Sequence, residues 1–86
     1  MPAFYSLSIK RSAEKEIPNL PREDLRRVIQ RIERLAVEPR PSDCEKLAGE
    51  DAYCIRQGDY RVLYAVDDER HVVEVFKVGH RREVYR

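Results

Sequence analysis

The stretch AYCIRQGDYRVLYAV, residues 52–66, leaves a chain few ways to fold. Gly58 and Asp59 make a two-residue turn between runs that alternate in polarity, and glycine first suits the type II′ turn, whose twist matches that of paired strands. With those two residues as the loop the register follows: Gln57 faces Tyr60, Arg56 faces Arg61, Ile55 faces Val62 and Tyr53 faces Tyr64. Alternation then puts Tyr53, Ile55, Val62 and Tyr64 on a core face and Cys54, Arg56 and Arg61 on the other. Two arginines directly opposite on one face repel and cost stability. Such a pair is a candidate anion site. A nearby carboxylate would relieve the same repulsion, and the register leaves both readings open.

The rest of the chain supplies a cover for that hairpin. Leu25, Val28, Ile29, Ile32, Leu35 and Ala36 recur at helical spacing, which predicts an amphipathic helix from about Pro21 to Val37 with one apolar stripe. Ser12 caps a shorter helix before it, which Pro18 kinks or stops. Tyr5, Leu7 and Ile9 alternate as an N-terminal strand, and AYCIR at 52–56 and Tyr60 to Val66 form the hairpin. HVVEVFKV at 71–78 is apolar on both parities, as a central strand is. The order strand, helix, helix, then antiparallel meander predicts an α+β fold with the helices packed on one sheet face.

Size and charge narrow the function classes. A chain of 86 residues builds one domain with one modest core, so residues 1–86 are read as a single unit. A net charge of +1 is too small to hold nucleic acid by bulk charge, so an anionic partner needs a local cluster. No run approaches the roughly 18 apolar residues of a membrane span, and MPAFYSLSIK lacks the pattern of a secretory leader. The expectation is a cytoplasmic protein with no membrane partner. Cys44 and Cys54 lack metal-ligand spacing and read as free thiols, so neither a metal nor another cofactor is expected.

The segment GHRREVYR, residues 79–86, gathers an imidazole, three guanidiniums and a phenol. Charged tails are usually solvated. Here Gly79 is expected to end the central strand, leaving His80, Arg81, Arg82 and Tyr85 near its exit. Guanidiniums bind phosphate bidentately and aromatic rings stack on unpaired bases, the mixture that single-stranded RNA recognition uses. Whether these groups join Arg56 and Arg61 depends on strand order, which periodicity does not fix. Elsewhere the expectations are structural: Arg22, Arg26, Arg27, Arg31 and Arg34 as the solvated face of the long helix, Asp67, Asp68 and Glu69 before His71 as a solvated turn, and Tyr60 and Tyr64 as core.

SAEKEI at 12–17, the helix end LAVEPRP, CEKLAGEDAYCIRQGDYRVLYAVDDE and FKVGHRREVYR together resemble the RelE family of bacterial toxins, within the wider RelE/ParE superfamily, over nearly the whole chain. KLxG followed by YxIRxGDYRVxY and VGHRREVY is a specific combination, although no single piece is. The resemblance implies a metal-independent messenger RNA endonuclease acting in the ribosomal decoding site. It also implies a cognate antitoxin that neutralises the toxin, the complex binding operator DNA through the antitoxin. By the same resemblance, the 2′-OH is expected to attack the adjacent phosphate, leaving a 2′,3′-cyclic phosphate and a free 5′-OH.

Carried over by position, Arg61 matches a phosphate-clamping arginine, Arg81 a transition-state arginine and Tyr85 a tyrosine that orients or helps deprotonate. Arg56 matches a second basic hairpin position, and Arg82 joins it as an RNA-binding residue. Cys54 stands where some members carry lysine, and the stretch from Arg81 to Tyr85 is shorter than in those members. His80 is then the candidate base, being the local group whose ordinary pKa suits the task, or else a structural residue at the strand end. A different outcome within the superfamily is a ParE-like toxin that poisons DNA gyrase by binding, with no nuclease site. A third is an inert antitoxin-binding module.

Overall fold

The computed structural model describes residues 4–47 and 51–80. Its elements run β1 (Ser6–Ile9), α1 (Arg11–Glu16), a 3₁₀ turn (Ile17–Asn19), α2 (Arg22–Arg34), β2 (Glu45–Lys46), β3 (Ala52–Gln57), β4 (Tyr60–Asp67) and β5 (Val72–His80). The strands form one sheet in the order β1-β5-β4-β3-β2. β1 pairs with β5 in parallel and every other pairing is antiparallel. Both helices pack on one face, giving the expected α+β layer pair, and none of the described helices is long and apolar enough to cross a membrane.

The short helix starts earlier than Ser12 would set it. Lys10 occupies the capping position without a side-chain cap, and Ser12 lies inside the first turn. The reason is the preceding strand: the Lys10 N–H donates to the Val75 carbonyl at 2.8 Å, so the chain leaves the sheet at Lys10 and turns there. Pro18 then forces the 3₁₀ turn.

The long helix places Glu23 and Asp24 at its positive end and Arg31 and Arg34 at its negative end, as its dipole favours. It ends at Arg34 rather than Val37. The N–H groups of Leu35, Ala36 and Val37 donate to carbonyls three residues back, the tight closing turn of a helix, and Pro39 disfavours a helical Glu38. Val28, Ile32 and Leu35 are buried and Leu25 is half-buried, whereas Ile29 is 40% exposed, so the apolar stripe is narrower than its spacing suggested. Burial of each of the three side chains contributes about 1.5–3 kcal/mol.

The hairpin takes the expected register at every named pair. Gly58 has φ +62°, and Asp59 is not in the left-handed region, the pattern of a turn with glycine at its first central position. Tyr53, Ile55, Val62 and Tyr64 join Val28, Ile32 and Leu35 in the core. Cys54 lies on the opposite face as expected, but that face is not simply polar there: Cys54 and Leu63 are buried with Leu47 and Phe76 packed against them.

The central strand β5 owes its apolar double parity to two causes. It is an interior strand, and its pairing with β4 shifts between Leu63 and Tyr64, leaving Phe76 as an extra residue. The bulge lets Val73, Val75 and Val78 all reach the helix-side core while Phe76 packs on the other face. The strand also continues past Gly79, which pairs with Arg61, to His80, which pairs with Tyr60. Ladder pairing on both sides of Gly79 carries the strand through the glycine expected to end it.

Candidate functional site

The open face of the sheet, away from the helices, has two ends of different charge. At the hairpin end Arg56 and Arg61 stand directly opposite each other on β3 and β4, with Gly79 across from Arg61 on β5 and contributing no side chain. Lys77 pairs with Leu63 close by. Arg61 is half-buried and Arg56 exposed. The repulsion between them is relieved by a carboxylate: Glu45 Oε1 accepts from Arg56 Nη2 at 2.6 Å. At the other end a hollow of about 570 Å³ is floored by Ala52 and Ala65 and bordered by Phe76 and by charges of both signs, Asp51, Asp67 and Glu74 with Lys10 and Arg70. Among the described residues the hairpin end is therefore the more cationic of the two, and an anion drawn to this face is favoured there.

His80 is brought to the same end of the sheet but not to the same face. It pairs with Tyr60, one residue out of phase with Arg61, so the two side chains leave the ladder on opposite sides. The His80 ring meets Tyr60 edge-on, with centroids 5.7 Å apart and planes at 87°. It lines a cleft of about 460 Å³ with Glu16, Asn19 and Leu20 beneath the 3₁₀ turn. Arg81, Arg82 and Tyr85 lie outside the described residues.

The turn between β4 and β5, read from sequence as solvated, is tied down. Asp67 Oδ1 accepts from the N–H groups of Glu69 and Arg70. Arg40 donates to both oxygens of Asp68 at 3.1 and 2.7 Å and to the Tyr53 hydroxyl at 2.9 Å, and the Tyr5 hydroxyl donates to Asp68 Oδ1 at 2.7 Å. The Arg40 hydrogen bonds, then that of Tyr5, hold the Asp68 carboxyl below its ordinary range. His71 stacks on Tyr5 with centroids 4.9 Å apart and takes a left-handed φ of 56°. The solvated helix face is likewise incomplete, because Arg31 pairs with Asp43 at 2.7 Å.

Two residues of this arrangement have no counterpart in the sequence reading. Arg40 joins three segments that are distant in sequence, and Glu45 sits on a strand of two residues, too short to leave a periodicity. Neither Cys44 nor Cys54 is in a disulfide, and Cys54 is buried.

The sequence model of the family described as the ParE toxin of the type II toxin–antitoxin system, parDE, matches residues 5–85. Toxin RelG of Mycobacterium tuberculosis is 44% identical over 41 residues, which cover 48% of this chain and 45% of that one, so the match spans less than half of the relative's length. The structure of the toxin–antitoxin complex RelBE2 from Mycobacterium tuberculosis contains a chain 29% identical, with a TM-score of 0.79 and coverage of 90% of this chain and 98% of that one. The archaeal RelE–RelB complex from Pyrococcus horikoshii gives 29% identity and a TM-score of 0.79, covering 94% and 99% of the two chains.

Proposed function

This chain belongs to the family of ParE toxins of type II toxin–antitoxin systems, and we propose that it is an endonuclease that cuts messenger RNA on the ribosome and is silenced by a cognate antitoxin. The observation that carries this reading is the Arg56–Arg61 pair on the helix-free face of a fold shared with RelE toxins. The far end of that face mixes both signs of charge, whereas the near end gathers Arg61 and Arg56, the latter paired with Glu45, where a phosphodiester would be held.

The step needs no metal. The 2′-OH attacks the adjacent phosphorus as its proton passes to a base, the P–O5′ bond breaks, and the departing 5′ oxygen takes a proton, leaving a 2′,3′-cyclic phosphate. Arg61 clamps the phosphate and, with Arg81, stabilises the charge added in the phosphorane-like transition state. Arginine does not release its proton at neutral pH, so both act electrostatically. Proton transfer falls to His80 or Tyr85. His80 leaves the strand on the opposite side from Arg61, so it serves as base only if the substrate wraps the end of β5. Tyr85 is the alternative, with His80 then structural. The antitoxin, a chain of complementary acidic character, covers the cationic end by adding a strand or laying a helix on the sheet.

The matched family model is described by ParE, which favours a second reading: a toxin that traps DNA gyrase by binding, with no nuclease step. Single-turnover cleavage on a programmed ribosome separates the two. Arg61→Ala and Arg81→Ala are each expected to cost about 2–4 kcal/mol of barrier, roughly 30- to 1000-fold in rate. A message carrying a 2′-deoxy sugar at the cut site is expected to resist cleavage. Tyr85→Phe and His80→Ala, run beside them, identify the base by whichever loss matches the arginine variants. Rates near wild type for both arginine variants overturn the site, and intact message together with trapped gyrase–DNA complexes overturns the activity.

A further inference from the structure

The carboxylate that relieves the arginine pair holds one of the two guanidiniums, Arg56, from the strand beyond it. Glu45 pairs with Cys54 in the β2–β3 ladder, which makes Arg56, two residues along β3, its diagonal neighbour on the same face. Arg56 in turn stands opposite Arg61. The open face therefore carries a row of one carboxylate and two guanidiniums across three adjacent strands. The Glu45–Arg56 contact is short, 2.6 Å, yet both side chains remain about half exposed, at 52% and 56%, so an incoming anion can reach the guanidinium.

We propose that Glu45 is an internal competitor for the RNA backbone at Arg56, a positioning residue that sets how strongly the hairpin grips phosphate. The proposal rests on the reading of Arg56 and Arg61 as a phosphate clamp. While Glu45 holds Arg56, the pair carries no net charge and neutralises no phosphate, and Arg61 bears the phosphodiester. Without that carboxylate the Arg56 guanidinium becomes available to phosphate. The toxin then holds any single strand more tightly and discriminates less between a strand positioned on the ribosome and a free one.

The salt dependence of RNA binding reads this directly, because each phosphate neutralised on a single strand adds about −0.7 to the slope of log K against log salt. The probe is a fluorescein-labelled single-stranded RNA of mixed sequence, titrated by anisotropy across a series of potassium chloride concentrations. Glu45→Gln is expected to steepen the slope by about 0.7. Its affinity at low salt is expected to rise about two- to fivefold, the range that breaking an exposed ion pair allows. Glu33→Gln, which makes the same charge change on the exposed side of α2, is expected to leave the slope unchanged. Glu45→Gln with Arg56→Gln returns the slope to that of the wild type. Equal slopes for Glu45→Gln and Glu33→Gln, with binding still weakened by Arg61→Gln, overturn the competitor and keep the clamp. Unchanged binding in both Arg56→Gln and Arg61→Gln overturns the clamp itself.

Discussion

The position of both arginines depends on one turn, and Gly58→Ala tests it. Gly58 has φ +62°, where an L-residue suffers a clash between its Cβ and its own backbone worth about 1–2 kcal/mol. Nothing else adds to that cost: a Cβ built at Gly58 meets Asp24 Oδ1 at 3.6 Å, an ordinary contact. The smaller conformational freedom of alanine in the unfolded chain returns roughly 0.4–1 kcal/mol, so a net loss of about 1 kcal/mol is expected. For a domain of this size that lowers the melting temperature by about 4–8 °C. Thermal unfolding followed by circular dichroism measures the loss, and cleavage per folded molecule should hold, since a one-residue slip would turn the arginines into the core. Alanine as stable as glycine refutes the turn geometry.

Tyr64→Phe removes a hydroxyl that donates to the Pro39 carbonyl at 2.7 Å and is expected to cost about 1 kcal/mol in urea unfolding. Burial, with smaller contributions led by Cys44, pushes the Tyr64 phenol up, so the unfolded chain ionises first as pH rises past the ordinary tyrosine value of about 10. Stability should fall above that pH in the wild type and fall less in the variant, as alkaline titration of the unfolding midpoint would record. Asp68 has the opposite sign. Arg40 and Tyr5 hold its folded pKa down, so its contribution is present above the ordinary carboxyl range and is lost as pH falls through the folded value. Asp68→Asn should flatten that acid limb, and an unchanged limb in equilibrium unfolding would refute the assignment.

What could be read from the sequence was what is local. A two-residue turn and strict alternation fixed the facing of Arg56 and Arg61, and apolar spacing located α2, because both patterns are written within one or two turns of chain. The parallel docking of β1 on β5 joins segments with two helices and three strands between them, and no periodicity in either segment names the partner. The same gap hid the position of His80. Strand order puts β5 beside the hairpin, yet pairing with Tyr60 turns the imidazole to the helix side. Cys54 shows a finer failure: alternation gave its face correctly, while the bulge at Phe76, invisible in a run of apolar residues, decided that it would be buried.

The two ends of the sheet also differ in how their charges are used. Arg40 is shared among Asp68 and Tyr53, and Asp68 among Arg40 and Tyr5, so the cation and anion at the far turn are saturated by one another and by phenols. That network joins β1, the α2–β2 connection, β3 and the β4–β5 turn, and it leaves little for a ligand. At the hairpin end two cations, Arg56 and Arg61, stand together on one face, with Glu45 on the first. A surface that had been shaped for stability alone would separate like charges or match them one to one, since two opposed arginines weaken the ladder they sit in. That opposed pair, kept in the ladder despite its cost, is the feature on which the proposed phosphate clamp rests.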